Sequence, residues 1–383
     1  MKKYLFLFAV VYSFTSFSQL NTDDSPTYPA LIKYYKSISE KHKEVQLFEM
    51  GDSDYGLPIY LCLINAGKDS LSAFDKARNG TTILINNAIH AGEPDGINAC
   101  IEWVNDWIKN GKKKTPVIAI IPAYNVGGMM NRSAVSRANQ NGPNEYGFRG
   151  NAQNLDLNRD FIKMDSKNMF TFAKIYHAID PDVFIDTHVS NGADYQYVMT
   201  YIAPVKNRIA PSMASIQHGE LIPYLEKKFI KEKIPFSPYV NLMEDVPEKG
   251  FSVFNDLPRY AMGYASLLNS ISFTTETHML KPFQDRVKST YLFIDEVAKW
   301  TEANAKKIEK ARSEAREWEK NSTYFKFNYK LSKTDSIQKQ FLGYKHEYIP
   351  SEITNQSRLK YNENQPFDKN VAFFNRYFPA DSI

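Results

Sequence analysis

His90 and Glu93 stand three residues apart in Ala88-Ile89-His90-Ala91-Gly92-Glu93. Imidazole nitrogen and carboxylate oxygen are donors that hold a divalent transition metal. A second histidine from elsewhere would leave one position open for water, which separates a catalytic zinc site from a closed structural one. The pair follows Thr81-Thr82-Ile83-Leu84-Ile85, a β-branched apolar run that reads as a buried strand. Gly92 and Pro94 hold the bend into a following helix. In an open α/β sheet, ligand sites form at the carboxyl ends of strands. Taken alone the pair is weak, because seven histidines in 383 residues can produce this spacing by chance. A lone strand-end histidine is more often a hydrogen-bonded structural residue.

Two further apolar runs end in matching chemistry. Pro181-Asp182-Val183-Phe184-Ile185-Asp186-Thr187-His188 closes on a histidine, and Ala265–Phe273 leads into Thr274-Thr275-Glu276-Thr277-His278. His90, Glu93 and His188 could share one ion, with Glu276 free to act as a base. Plain packing would place Val, Thr or Ser at such strand ends.

The elements that must position these groups follow from periodicity. Tyr28–Gln46 reads as a helix with Leu31, Tyr34, Tyr35 and Ile38 on one face. Val45–Met50 and Leu57–Asn65 read as a hairpin. A helix is expected over Gly96–Lys109, a central strand over Val117–Pro122, a helix over Ser166–Ile179, and a long helix from about 285 to 320. Alternating strands and helices predict a three-layer α/β/α domain on a mixed, mostly parallel, twisted sheet. Asn125–Asp160 has no period and is rich in Asn, Gly and Arg; aperiodic stretches this long are usually functional or disordered. Residues 321–383 turn to alternating Phe/Tyr and polar residues, the mark of a small β-rich C-terminal extension. The last residues show no evident domain end, which leaves open that the extension is incomplete.

Composition narrows the class. A chain that is 43% hydrophobic can bury a large core. A formal charge of +4 without a Lys/Arg block excludes a nucleic-acid stripe. Lys2-Lys3, the apolar run Tyr4–Tyr12 and Ser16-Phe17-Ser18 read as a secretory signal over residues 1–18, too short for a stable membrane anchor. The chain is therefore expected in the periplasm or secreted. Cys62 and Cys100 are expected to pack as small core residues, unpaired.

At this point the sequence resembles the zinc carboxypeptidases of the carboxypeptidase A type, across roughly residues 28–300. The resemblance rests on His90-x-x-Glu93, on Arg149-Gly150-Asn151-Ala152-Gln153-Asn154-Leu155-Asp156-Leu157-Asn158-Arg159, on His188 and on Glu276. It implies one zinc per chain held by His90, Glu93 and His188, with Glu276 as general base. It further implies Arg149 at the developing oxyanion and Asn158 with Arg159 on the substrate's terminal carboxylate, while Asp156 orients His90. Arg132 and Arg137 compete for the oxyanion role. A tyrosine between the third ligand and the base should close over substrate: Tyr260 and Tyr264 are candidates, and Tyr239 is more remote. The loop around Ser133–Tyr146 is longer than the common pattern, His278 reads as structural, and Asn191–Asp194 reads as a turn near the pocket wall.

The expected catalytic unit is 19–320, acting on peptides with a free C-terminal carboxylate. The same centre could instead serve a cell-wall peptide or an N-acyl amino acid, because the pocket lining sets the substrate. A silent peptide-binding module would be expected to lack a ligand or the base, and neither is missing. Side-chain preference, decided somewhere in residues 241–270, and oligomeric state stay open.

Overall fold

The computed structural model describes residues 24–67, 69–111 and 114–382, so the expected export signal lies outside the described residues. Helix α1 (Tyr28–Lys41) opens with Thr27 accepting from the amide of Ala30, and ends before the strand-forming run at Val45. Strands β1 (Val45–Asp52) and β2 (Pro58–Ile64) form the expected hairpin. Helix α2 (Ser70–Asn79) buries only Ala73 and Ala77, so no apolar stripe announced it. Next come β3 (Thr82–Asn86), α3 (Asp95–Lys109), β4 (Val117–Ile121), the short α4 (Val126–Met130) and α5 (Lys167–Ile179). Helix α3 buries Ile97, Cys100, Ile101, Val104 and Trp107, one face of a 3.6-residue repeat.

Beyond α5 lie β5 (Val183–Ser190), β6 (Met199–Ile202) and α6 (Pro211–Ile216), which a π-helical turn joins to α7 (Ile222–Lys231). Three short strands follow, β7 (Phe236–Pro238), β8 (Asn241–Leu242) and β9 (Phe251–Ser252). Then come α8 (Ala261–Leu267), β10 (Ile271–His278) and the long α9 (Phe283–Asn321), which is interrupted at Asn304. The chain finishes in β11 (Lys326–Leu331), β12 (Ile337–Pro350), β13 (Ser357–Phe374) and β14 (Tyr377–Ser382).

The main sheet has eight strands in the order β1-β2-β4-β3-β5-β10-β6-β7. Its centre, β4-β3-β5-β10, is parallel and buried on both faces, which is why β3, β4 and the first halves of β5 and β10 are largely apolar. Helix α3 packs with α9 in one helical layer, and α2, α5 and α8 form another. The approach of α3 to β5 is close enough that a Cβ at Gly96 would lie 2.1 Å from the Thr187 hydroxyl, so only glycine fits. Cys62 and Cys100 are both buried and unpaired.

The C-terminal strands are tied to the rest by more than the end of α9. Strand β13 pairs with β9, and β12-β13-β9-β8 is one sheet. Phe341, Phe367, Val371 and Phe373 share a core with Tyr195, Tyr197, Val240 and Phe251. Phe341 is fully buried at its centre. Phe341→Ala should therefore destabilise the whole chain by about 3–5 kcal/mol in denaturant unfolding. A loss below about 1 kcal/mol would show that the extension does not brace the main body.

Candidate metal centre

Register brings the site together. Strand β10 pairs in parallel with β5 so that Glu276 lies opposite His188, and neighbouring residues in register point to the same face. Strand β3 runs beside β5 with Asn86 opposite Asp186. From β3 the chain turns through Ala88, a buried non-glycine residue at φ 60, and delivers His90 and Glu93 to the carboxyl ends of the central strands. His90, Glu93 and His188 are all buried, and one donor atom from each lies within 4.8 Å of the others.

The ring nitrogens divide their work. His90 turns Nδ1 toward Glu93 Oε1 at 3.2 Å, and its Nε2 lies 3.0 Å from Asp156 Oδ1. His188 turns Nδ1 toward Glu93 Oε2 at 3.0 Å, and its Nε2 lies 2.6 Å from Asp186 Oδ2. Each ring thus has one nitrogen fixed by a carboxylate and the other aimed inward, the arrangement that metal-binding histidines use. Two inward imidazole nitrogens and a carboxylate are a donor set suited to zinc. The local field favours positive charge. Burial works against a proton on His188, yet Asp186 and Glu93 hold its pKa well above the ordinary value. Burial alone would raise Glu93, but Arg137 and His90 keep it well below the usual carboxylate range.

Glu276 keeps part of its surface open to the mouth, but burial pushes its pKa up to about 8. Glu93 and Asp186 add to that rise, while His188 and Arg137 oppose it. Its backbone is fixed by Thr200, whose hydroxyl donates to the Glu276 carbonyl at 2.9 Å. The adjacent Thr277 donates to Asp95 Oδ2 at 2.5 Å, and Asp95 opens α3 two residues after Glu93. Arg286, fully buried, binds Asp95 Oδ2 at 2.9 Å and the carbonyls of Asn141, Gly142, Met279 and Lys281. One guanidinium thus joins the start of α3, the end of β10 and the long loop.

That loop supplies the arginines. Arg149, half-exposed at the rim, reaches Asp156 Oδ2 at 2.8 Å and lies 3.2 Å from His90 Nδ1. Burial would raise the Asp156 carboxyl, but His90 and Arg149 bring it far below its ordinary value. Arg159 stacks on the Tyr260 ring at 4.5 Å and donates to the Asn158 carbonyl, with much of its guanidinium open. The Asn158 side chain accepts from the amide of Ala261 at the start of α8. Arg132 donates to the carbonyls of Ser25, Pro26 and Glu145 and pins the loop to the N-terminal segment. Arg137 instead enters the centre and touches Glu93.

The tyrosines separate. Tyr260 stands against Arg159. Tyr239 is near enough to Glu276 and Glu93 that, after burial, their charges raise its phenol. Tyr264 is not brought to the cluster: its ring packs on Phe161, Phe172 and Tyr176, and its hydroxyl lies 3.2 Å from His177 of α5. His278 has both ring nitrogens engaged by backbone, donating to Ala193 O and accepting from Leu280 N. Burial lowers its pKa to about 4, which suits a structural role.

Asp186 was not singled out from sequence, although Asp-x-His on one strand carried the signal, since residues two apart share a face. Asp256 is another buried carboxylate nearby, pushed up to about 7 by burial and by Asp186.

A family model described as zinc carboxypeptidase matches residues 31–358. A search of curated proteins found no match. Among solved structures, the carboxypeptidase A of Helicoverpa armigera is similar at 15% identity and a TM-score of 0.53, covering 77% of this chain and 75% of that one. Bovine thrombin-activatable fibrinolysis inhibitor, solved with a tick carboxypeptidase inhibitor, matches at 13% identity and a TM-score of 0.53, covering 74% and 99%. At those identities the structures speak for the fold, whereas the family model spans most of the chain and meets the His-Glu-His cluster. The chain belongs to the zinc carboxypeptidase family and is a zinc metallocarboxypeptidase.

Proposed function

We propose that this enzyme releases the C-terminal residue from peptides that end in a free carboxylate. In this reading His90, Glu93 and His188 hold one zinc and Glu276 is the general base. The observation that carries it is the β5–β10 register, which seats Glu276 beside His188. Zinc held by these ligands would polarise the scissile carbonyl and lower the pKa of a water to about 7. Glu276 takes the attacking water's proton on its carboxylate and returns it to the leaving nitrogen. Arg149, at the rim beside His90, faces the charge that develops on the carbonyl oxygen.

Asn158 and Arg159 receive the substrate's terminal carboxylate, where a planar fork suits two oxygens. Tyr260 stiffens that fork by stacking on it, and Tyr239 lies on the Glu276 side; these two remain the candidates for closing over substrate. Tyr264, engaged with His177, has no part in this scheme.

Residues 19–320 are the proposed catalytic unit, 321–383 the extension that braces it, and 1–18 an export signal that places the enzyme in the periplasm or outside the cell. No helix among the described residues is long and apolar enough to cross a membrane. A screen of ordinary peptides, murein fragments and N-acyl amino acids, with and without a zinc chelator, separates peptide substrates from the alternatives.

Glu276→Gln keeps the shape of the side chain and removes its basicity. Turnover should fall about 10²–10⁴-fold, with zinc content and melting temperature nearly unchanged. A variant as fast as the parent would refute the base assignment, and one that lost its metal would make Glu276 a ligand.

Arg159→Ala should cripple cleavage of free-acid peptides and scarcely alter the poor turnover of C-terminal amides. Equal losses on the two substrates would mean that Arg159 does not read the carboxylate. Arg159→Lys should recover only part of the activity, since an ammonium cannot make the two-pronged contact.

Asp186→Asn retains a hydrogen-bonding group beside His188 but not its charge. Zinc affinity, measured by competition with a chelating dye, should drop about 10–100-fold. An unchanged affinity would reduce Asp186 to packing.

A further inference from the structure

The pairing of Glu93 with Arg137 has no place in the catalytic cycle just described. Arg137 reaches Glu93 Oε1 with one guanidinium nitrogen and the carbonyl of Val189 at 2.8 Å with another. Its side chain is 14% exposed. The backbone that delivers it is fixed on both sides. Tyr146 donates to the carbonyls of Arg137 and Ala134, and Ser136 donates to that of Gly147. Gln140 donates to the carbonyl of Gly92 at 3.0 Å.

The stem of Arg137 passes over Gly92. A Cβ at that position would lie 2.9 Å from Arg137 Cδ and 2.9 Å from the Gly147 carbonyl oxygen. The gap left by glycine inside His90-Ala91-Gly92-Glu93 is therefore filled by an arginine from the long loop. Arg149 cannot take over the same duty. It lies 3.7 Å from Glu93 Oε1 and is committed to Asp156.

A buried carboxylate without a counter-charge is costly. Glu93 sits among Asp186, Asp156 and Glu276 through the contacts of the two histidines and the strand register. We propose that Arg137 is the built-in counter-charge of the metal-ligand cluster. It balances Glu93 so that the ligands are assembled before the metal arrives, and Gly92 is the opening that admits it. This rests on the zinc centre proposed above. A guanidinium and a dication on one carboxylate oppose each other. Arg137 therefore stabilises the metal-free protein more than the loaded one, and by linkage weakens zinc binding by the same factor.

The test uses the full chain, stripped with a chelator or reloaded with zinc, as parent, Arg137→Met and Arg137→Lys. Met keeps the stem over Gly92 and removes the charge; Lys keeps the charge. Melting temperature is measured in both states, and zinc affinity by competition with a chromophoric chelator. Arg137→Met should melt several degrees lower when stripped, lose less when loaded, and bind zinc about 5–150-fold more tightly. Arg137→Lys should stay near the parent in both readouts. If stripped Arg137→Met does not fold, recovery on refolding with zinc supports the proposal, and failure with zinc as well overturns it. Equal melting losses in the two states, or weaker zinc binding, also overturn it. A parent that binds no zinc would instead refute the centre itself.

Discussion

Glu93, Asp156, Asp186 and Glu276 meet around two histidine rings at the buried mouth of one sheet. Carboxylates this close repel, and burial deprives them of the water that would screen them. The protein answers with a partner for three of the four: Arg149 and the His90 ring for Asp156, the His188 ring for Asp186, and Arg137 for Glu93. Glu276 has no such partner among the described residues, and burial drives it toward its neutral form. A dication at the proposed His90, Glu93 and His188 site would add to the positive side of this balance. The clustering that would destabilise a metal-free fold is thus what a dication at the proposed site would relieve.

Such a balance holds only if the groups cannot drift apart. Parallel pairing fixes His188 and Glu276 against each other through two strand backbones. Thr277, Asp95 and Arg286 then tie the Glu276 strand to the helix that follows Glu93. Arg286 spends its donors on one carboxylate and on backbone carbonyls, so its buried charge is paired and its hydrogen bonds are satisfied. The proposed ligands and base thus ride on strands and on a helix start, while Arg149 and Arg159 come from the loop between α4 and α5. That division suits a reaction in which the reacting atoms need fixed geometry and the substrate must still enter and leave.

Much of this was legible in the sequence because its signals were local. The apolar strands ending in His188 and Glu276, the bend at Gly92 and Pro94, and the Asp156–Arg159 segment all carried their chemistry within a few residues. The long-range pairings were harder to read. Arg137 was legible only as a rival for the oxyanion role and Arg286 was not singled out, since nothing nearby in sequence marks an arginine that crosses a glycine or bridges three elements. Helix α2 was invisible because two alanines are its only buried residues. The short strands β7, β8 and β9 are two or three residues long, below the length at which alternation can register. The extension read correctly as β-rich, but its union with β8 and β9 depends on partners more than a hundred residues away.

The tyrosines show the same limit in one residue type. Tyr260 and Tyr264 are four apart, yet Tyr260 precedes α8 as its N-cap and Tyr264 lies within it. The cap position lets Tyr260 lie under Arg159, whereas the helical position commits Tyr264 to Phe161, Phe172 and Tyr176. Tyr239, farthest from Glu276 in sequence, is carried back by β7, which pairs with β6 beside β10. Distance along the chain alone therefore says little about which tyrosine faces Glu276. Sheet order accounts for Tyr239, because β7 pairs with β6 and β6 with β10, so the residue that follows β7 returns toward the strand that carries Glu276.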